Sequence, residues 1–177
     1  MRLRSQARPL HTVLSETALS VYNMVWKGKM TDIVTRVISA QETYPLRAAV
    51  LRPGQPPEAL LFHGDGAPET VHIGALDGDR IVSIGSVYHE PPPGADNPGA
   101  WRLRGMATAE DARRRGYGAA VLHACIEHVV RQGGTGLWFN ARTAAVPFYQ
   151  AMGFATRGEE FELPGIGPHY FMCRDLP

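Results

Sequence analysis

"RRRGYGAAVLHACIEHVV", residues 113–130, decides the fold. Three arginines run into two glycines one residue apart, and a helical pattern begins at once. Val121, Leu122, Cys125, Ile126, Val129 and Val130 recur at helical spacing, and Gly133–Gly134 ends the run, so a helix is expected from about Gly118 to Gln132. His123, Glu127, His128 and Arg131 trace its polar face. The first amides of a helix have no internal partner, and the helix dipole adds partial positive charge there. Gly116 and Gly118 remove side chains that would hold a ligand away from those amides. Arg113, Arg114 and Arg115 add guanidinium donors. The combination suits a phosphate or pyrophosphate; the other reading is a surface turn with solvated arginines.

"WRLRGMAT" (101–108) before this turn and "GLWFNA" (136–141) after the helix read as strands. A strand–helix–strand unit of this kind needs a right-handed crossover and gives a parallel pair. Elsewhere the order implies antiparallel pairing. "DIVTRVISA" (32–40) alternates as a strand, and "ETYPLRAAVLRPG" (42–54) reads as a helix with Pro45 in its first turn. Two strand runs in "TVHIGALDGDRIVSIGSVYHE" (70–90) flank Asp77-Gly78, which signals a type I′ hairpin. A loop with one helical turn fills the interval around Pro56–Pro68, and "PPPGADNPGA" (91–100) is a second loop. "AAVPFYQAM" (144–152) reads as a short helix, and two strands close the chain. The expected class is α/β with a mixed sheet.

Residues 1–29 read as an extension to a domain spanning 30–177. Ser15 caps a run in which Leu14, Ala18, Val21, Tyr22 and Val25 share a helical face. A docking helix, a partner-binding segment and a loosely held leader before Met30 all fit it.

The 177 residues carry a formal charge of +1, so no global field recruits nucleic acid or membrane. Two cysteines, Cys125 and Cys173, suit a reducing compartment, and no apolar run approaches the roughly 18 residues of a membrane span. A cytoplasmic protein is the expectation. His123, Cys125 and His128 match no ligand spacing, so no metal is expected. Ala119-Ala120 after Gly118 excludes a P-loop. Val121 in place of a third glycine, and Asn140 where an acidic residue belongs, disfavour a dinucleotide site and an oxidoreductase.

The run "LRGMAT" (103–108) followed by "RRRGYG" (113–118) resembles the acyl-CoA signature of the GNAT superfamily of N-acyltransferases. "WFNARTAAVPFYQAMGF" (138–154) is similar to that family's last conserved segment, and "GIGPHYFM" (165–172) resembles a branch of small bacterial members. The resemblance covers about residues 31–177. It implies a mostly antiparallel mixed sheet with one central, splayed parallel pair and helices on both faces. It implies acetyl-CoA as co-substrate and a primary amine as acceptor. Carried over by position, Arg113 opens the signature and the amides of Arg114, Arg115, Gly116, Tyr117, Gly118 and Ala119 cradle the pyrophosphate. The backbone of Met106, Ala107 and Thr108 pairs with the pantetheine arm and polarises the thioester. Asn140 touches the cofactor or fixes the splayed strand. Tyr149 matches the leaving-group acid; its alternative is an ordinary core or rim tyrosine. For the base, Glu160, Glu162, His169 and a water chain stay open, because "WRLR" carries no carboxylate. Arg102 and Arg104 alternate on one strand face, as steering charges or as plain surface arginines. The terminal strands suit a homodimer. A CoA-binding module without turnover is the competing function.

Overall fold

Ser39 starts the first helix three residues before its expected start. Its hydroxyl accepts from the Glu42 amide at 3.3 Å while the Glu42 carboxylate takes the Ser39 N–H at 2.7 Å, a reciprocal cap. In this computed structural model, which describes residues 24–26 and 33–177, helix α1 spans Ala40–Leu46. Pro45 therefore lies inside the helix, not in its first turn. Proline supplies no N–H to the preceding turn, and the chain widens at once into a π-helical turn over Arg47–Leu51.

The strands are β1 Met24–Trp26, β2 Ile33–Ile38, β3 Val71–Asp77, β4 Arg80–Tyr88, β5 Ala100–Thr108, β6 Gly136–Arg142, β7 Ala155–Leu163 and β8 Gly167–Asp175. Helix α2 spans Tyr117–Arg131 and α3 spans Val146–Ala151. Among the described residues these strands form one sheet in the order β1-β2-β3-β4-β5-β6-β8-β7. Every neighbouring pair is antiparallel except β5–β6. The expected helix around residues 15–25 and the reading of 1–29 as an extension lie outside the described residues, save that Met24–Trp26 pair as a strand with β2.

The β3–β4 hairpin forms where expected, but its two loop residues are Gly78 and Asp79, because Asp77 pairs with Arg80. Of these only Gly78 has positive φ, at 60°, which excludes a type I′ turn and fits II′. Gly133, at φ 75°, ends α2: the Gly134 N–H reaches Val129 C=O and the Gly133 N–H reaches Val130 C=O, both at 2.9 Å.

Helix α2 buries Val121, Leu122, Cys125 and Val129 against Val82, Val87, Leu103 and Phe139 of the sheet. Each fully buried aliphatic side chain contributes roughly 1.5–3 kcal/mol. A smaller cluster of Ile38, Leu46, Ile84 and Ala107 forms with α1, which also packs on β3 and β4. His128 is a correction to the polar face drawn from sequence. It is 4% exposed and stands edge-on to Trp101, with ring centroids 5.7 Å apart.

Candidate active site

The parallel pair holds for only three residues. Ala100 faces Gly136, Trp101 faces Leu137 and Arg102 faces Trp138; beyond that the two strands separate. Each keeps its other neighbour. β5 stays paired with β4 as far as Thr108 opposite Ser83, and β6 stays with β8 as far as Arg142 opposite His169. A bulge sets the departure: Gly105, at φ 65°, and Met106 together oppose the single residue Gly85. Gly85 makes room for it, since a Cβ there would lie 2.6 Å from Met106 Sδ and 2.9 Å from Val121 Cγ1. The added residue turns the strand over, so Leu103 packs in the cluster with α2 and Ala107 in the cluster with α1. From Leu103 onward the β5 edge facing β6 has no strand partner among the described residues.

A cavity of about 290 Å³ occupies the gap. Arg104, Gly105 and Met106 line it from β5, Asn140 and Arg142 from β6, Tyr149 from α3 and His169 from β8. Arg52 and Phe62 close it from the α1 side.

The arginine–glycine turn stands at the open end of the gap. Arg114 takes φ 61°, the one positive value outside glycine among the described residues, and the N-cap Gly116 takes φ 89°. Such backbone is sparsely populated and recurs at anion cradles. The first intrahelical bond runs from the Ala120 N–H to Gly116 C=O at 3.0 Å. The amides of residues 114–119 meet no acceptor among the described residues. A Cβ on Gly118 would lie 3.3 Å from Thr108 Oγ1 and 3.8 Å from Phe148 Cζ, so the turn abuts both the end of β5 and the helix carrying Tyr149. The side chains of Arg113 and Arg114 are exposed. That of Arg115 pairs with Asp77 at 3.1 Å and reaches the Tyr117 hydroxyl at 3.4 Å, while the Tyr117 ring is buried.

Tyr149 is 7% exposed and packs on Phe139, with centroids 4.4 Å apart. Burial pushes its phenol well above the ordinary value, so the group stays protonated at neutral pH. Its hydroxyl makes no hydrogen bond among the described residues, although the ring faces the cavity. Asn140 lines the same cavity with its side-chain amide unengaged among the described residues.

Of the three candidate bases, the cavity wall includes only His169. Glu160 is exposed and accepts from Thr143 Oγ1 at 2.7 Å, and Glu162 is also exposed. His169 Nδ1 lies 2.7 Å from Gly167 O. A carbonyl can only accept, so Nδ1 carries a proton, and Nε2 is the nitrogen left to face a substrate.

Two features had no sequence signal. Arg52 and Arg142 join Arg102 and Arg104 at the cavity. Behind them Arg47, wholly buried, binds both oxygens of Asp65 and the Leu60 carbonyl, and its guanidinium lies 4.0 Å over the Phe62 ring. Tyr88 donates to the same carboxylate at 2.5 Å; burial, then that bond, pushes the Tyr88 phenol up to about 12. The network fixes the loop that carries Phe62. No group of three or more His, Cys, Asp or Glu side chains able to hold a metal lies among the described residues.

A mixed sheet whose one parallel pair parts midway, with a helix N-terminus at the opening, defines the GNAT class of fold. The chain belongs to the acetyltransferase (GNAT) family, whose profile matches residues 38–154. It is 33% identical over 141 residues to YitI, an uncharacterized N-acetyltransferase of Bacillus subtilis (strain 168), spanning 80% of this chain and 95% of that one. In structure it is similar to Escherichia coli ElaA, with TM-score 0.66 and 18% identity over 80% of this chain and 99% of that one. An aminoglycoside 6'-N-acetyltransferase complexed with coenzyme A superposes with TM-score 0.58 and 13% identity, over 78% of this chain and 91% of the other. At those identities the two structures speak for the fold alone. The relatives' names support an acyltransferase.

Proposed function

We propose that the chain transfers an acetyl group from acetyl-CoA to a primary amine by direct attack on the thioester. One observation carries the reading: β5 and β6 part at Arg102, and unengaged amides at 114–119 stand at the open end of the gap. The amides and the dipole of α2 suit a pyrophosphate. The unpartnered edge of β5 at Met106–Thr108 suits an extended amide-bearing arm, which would add to the sheet as a short strand. An N–H there that meets the thioester carbonyl would stabilise the developing oxyanion.

The amine must attack as the free base, since an ammonium with a pKa near ~10.4 has no lone pair. In this reading His169 Nε2 accepts the proton, directly or through water, as the N–C bond forms. The C–S bond then breaks, and Tyr149 protonates the departing thiolate. Both residues line the cavity, and the phenol is protonated at neutral pH, as a donor to the thiolate must be.

A CoA-binding module without turnover is the second reading, favoured by the lack of any carboxylate in the cavity wall among the described residues. Native mass spectrometry with acetyl-CoA and NAD, followed by thiol release against a panel of amines, separates the two. Binding of acetyl-CoA with amine-dependent thiol release supports transfer. Binding without release against any amine supports the module, and preference for NAD refutes both.

A further inference from the structure

Four arginines, Arg52, Arg102, Arg104 and Arg142, line the cavity, and no Asp or Glu does so among the described residues. Their partners are unequal. Arg102 pairs with Glu90 at 2.7 Å and lies over the Trp138 ring. Arg104 donates to the His63 carbonyl at 3.1 Å. Arg52 and Arg142 both donate to one oxygen, the Leu51 carbonyl, at 3.0 and 3.1 Å. Among the described residues these three guanidinium groups bond carbonyls and no carboxylate; Arg104 also lies over the Phe62 and Tyr88 rings, at 4.8 and 5.3 Å, and Arg52 over Phe62 at 5.8 Å, contacts that offset only part of the charge.

That arrangement is costly unless something compensates it. Like charges this close repel, and partial burial weakens solvent screening. Burial, then the Arg142 charge, lowers the Arg52 guanidinium from its ordinary value; burial, then the Arg102 charge, does the same to Arg104. The nearest acids are committed elsewhere, Glu90 to Arg102 and Asp65 to Arg47. Arginines on fixed backbone that lack a carboxylate match a planar or tetrahedral oxyanion, which guanidinium groups grip through two bonds at once.

We propose that Arg52, Arg104 and Arg142 form a subsite for an anionic group on the acceptor, so that the substrate is a small amine bearing a carboxylate or a phosphate. The subsite faces the same gap as Tyr149 and His169, on the side closed by Arg52 and Phe62. It acts twice. It holds the acceptor by its anion, and its positive field favours the neutral amine over the ammonium, which eases proton removal where no carboxylate base is present. A polycationic acceptor is repelled. The inference extends the acetyl-transfer reading by naming its substrate class.

Two measurements test it. In the first, protein saturated with CoA is titrated by calorimetry with inorganic phosphate and with glutarate. Binding of either is expected, weakened about tenfold or more in Arg142→Gln and in Arg52→Gln, the loss of one charge-assisted contact. Arg142 is exposed, so its variant is expected to fold, and a thermal melt checks that. No binding of either anion, or equal binding in wild type and both variants, overturns the subsite. Phosphate alone or glutarate alone assigns the group. In the second, acetyl-CoA-dependent thiol release is compared for β-alanine against its amide, phosphoethanolamine against ethanolamine, and spermidine. At least one anionic amine should exceed its neutral partner about tenfold in kcat/KM. Equal rates across both pairs, or spermidine fastest, overturn the substrate class while leaving acetyl transfer standing. Protein that binds no acetyl-CoA sinks the transfer reading instead, and the anion titration still judges the pocket.

Discussion

Arg47 holds Asp65 with two nitrogens, Nη1 at 2.5 Å from Oδ2 and Nη2 at 3.0 Å from Oδ1, although Arg47 has no exposed surface. Burial pushes the Asp65 carboxyl up, but the bonds from Arg47, Tyr88 and the Phe62 amide outweigh it and hold the group below its ordinary value. Asp65→Asn leaves a buried guanidinium without its counter-charge, and the expected loss is roughly 3–5 kcal/mol. A depressed carboxyl contributes stability above its unfolded pKa of about 3.9 and loses it as pH falls through the lower folded value. Urea denaturation of wild type should therefore weaken below about pH 4, and that part of the profile should flatten in the variant.

Gly85→Ala tests the bulge that opens the gap. Its Cβ would meet Met106 Sδ at 2.6 Å and Val121 Cγ1 at 2.9 Å, so β5 or α2 must shift. Thermal unfolding should show a loss of about 1–3 kcal/mol, typical of overpacking. The acetyl-CoA affinity should fall with it, because the shift lands on Met106.

Tyr149→Phe keeps the ring packed on Phe139 and removes only the hydroxyl. Steady-state kinetics should show kcat lower by about a hundredfold, the scale of a lost general acid, with acetyl-CoA affinity unchanged. Equal rates for both forms would remove the phenol from the reaction.

His169→Asn keeps a donor for the Gly167 carbonyl and deletes Nε2. If Nε2 takes the amine proton, kcat falls about a hundredfold while the fold and the CoA affinity hold. His169→Gln, which offers a nitrogen near the old Nε2 position but no base, should not rescue the rate.

Local chemistry made most of the scaffold readable. Asp77-Gly78 announced the hairpin of β3 and β4, and β-branched alternation announced β2. The crossover rule implied the parallel β5–β6 pair. Two local misreadings came from competing signals. The Ser39–Glu42 cap outweighed proline's preference for a first turn, and pairing of Asp77 with Arg80 moved the turn one residue on. The candidate site was half readable. The glycine spacing at 116–118 and the "FYQAMGF" segment marked the amides and Tyr149, because backbone freedom and motif order are sequence properties. Arg47 was opaque: nothing in the chain announces that a charge will find its carboxylate 18 residues away. The convergence of Arg52, Arg104 and Arg142 depends on three elements meeting at one gap, and so does the difference between His169 in the wall and Glu160 outside it.

The most direct test is calorimetric titration of acetyl-CoA into wild type and Gly118→Glu. Gly118 sits in the first turn of α2 beside Thr108 and Phe148, where a carboxylate would face the amides of residues 114–119. Wild type should bind, and the variant should bind roughly a hundredfold more weakly or not at all, with its unfolding midpoint little changed. Equal affinity in a folded Gly118→Glu protein would contradict the account, because the diphosphate would then lie somewhere other than this turn.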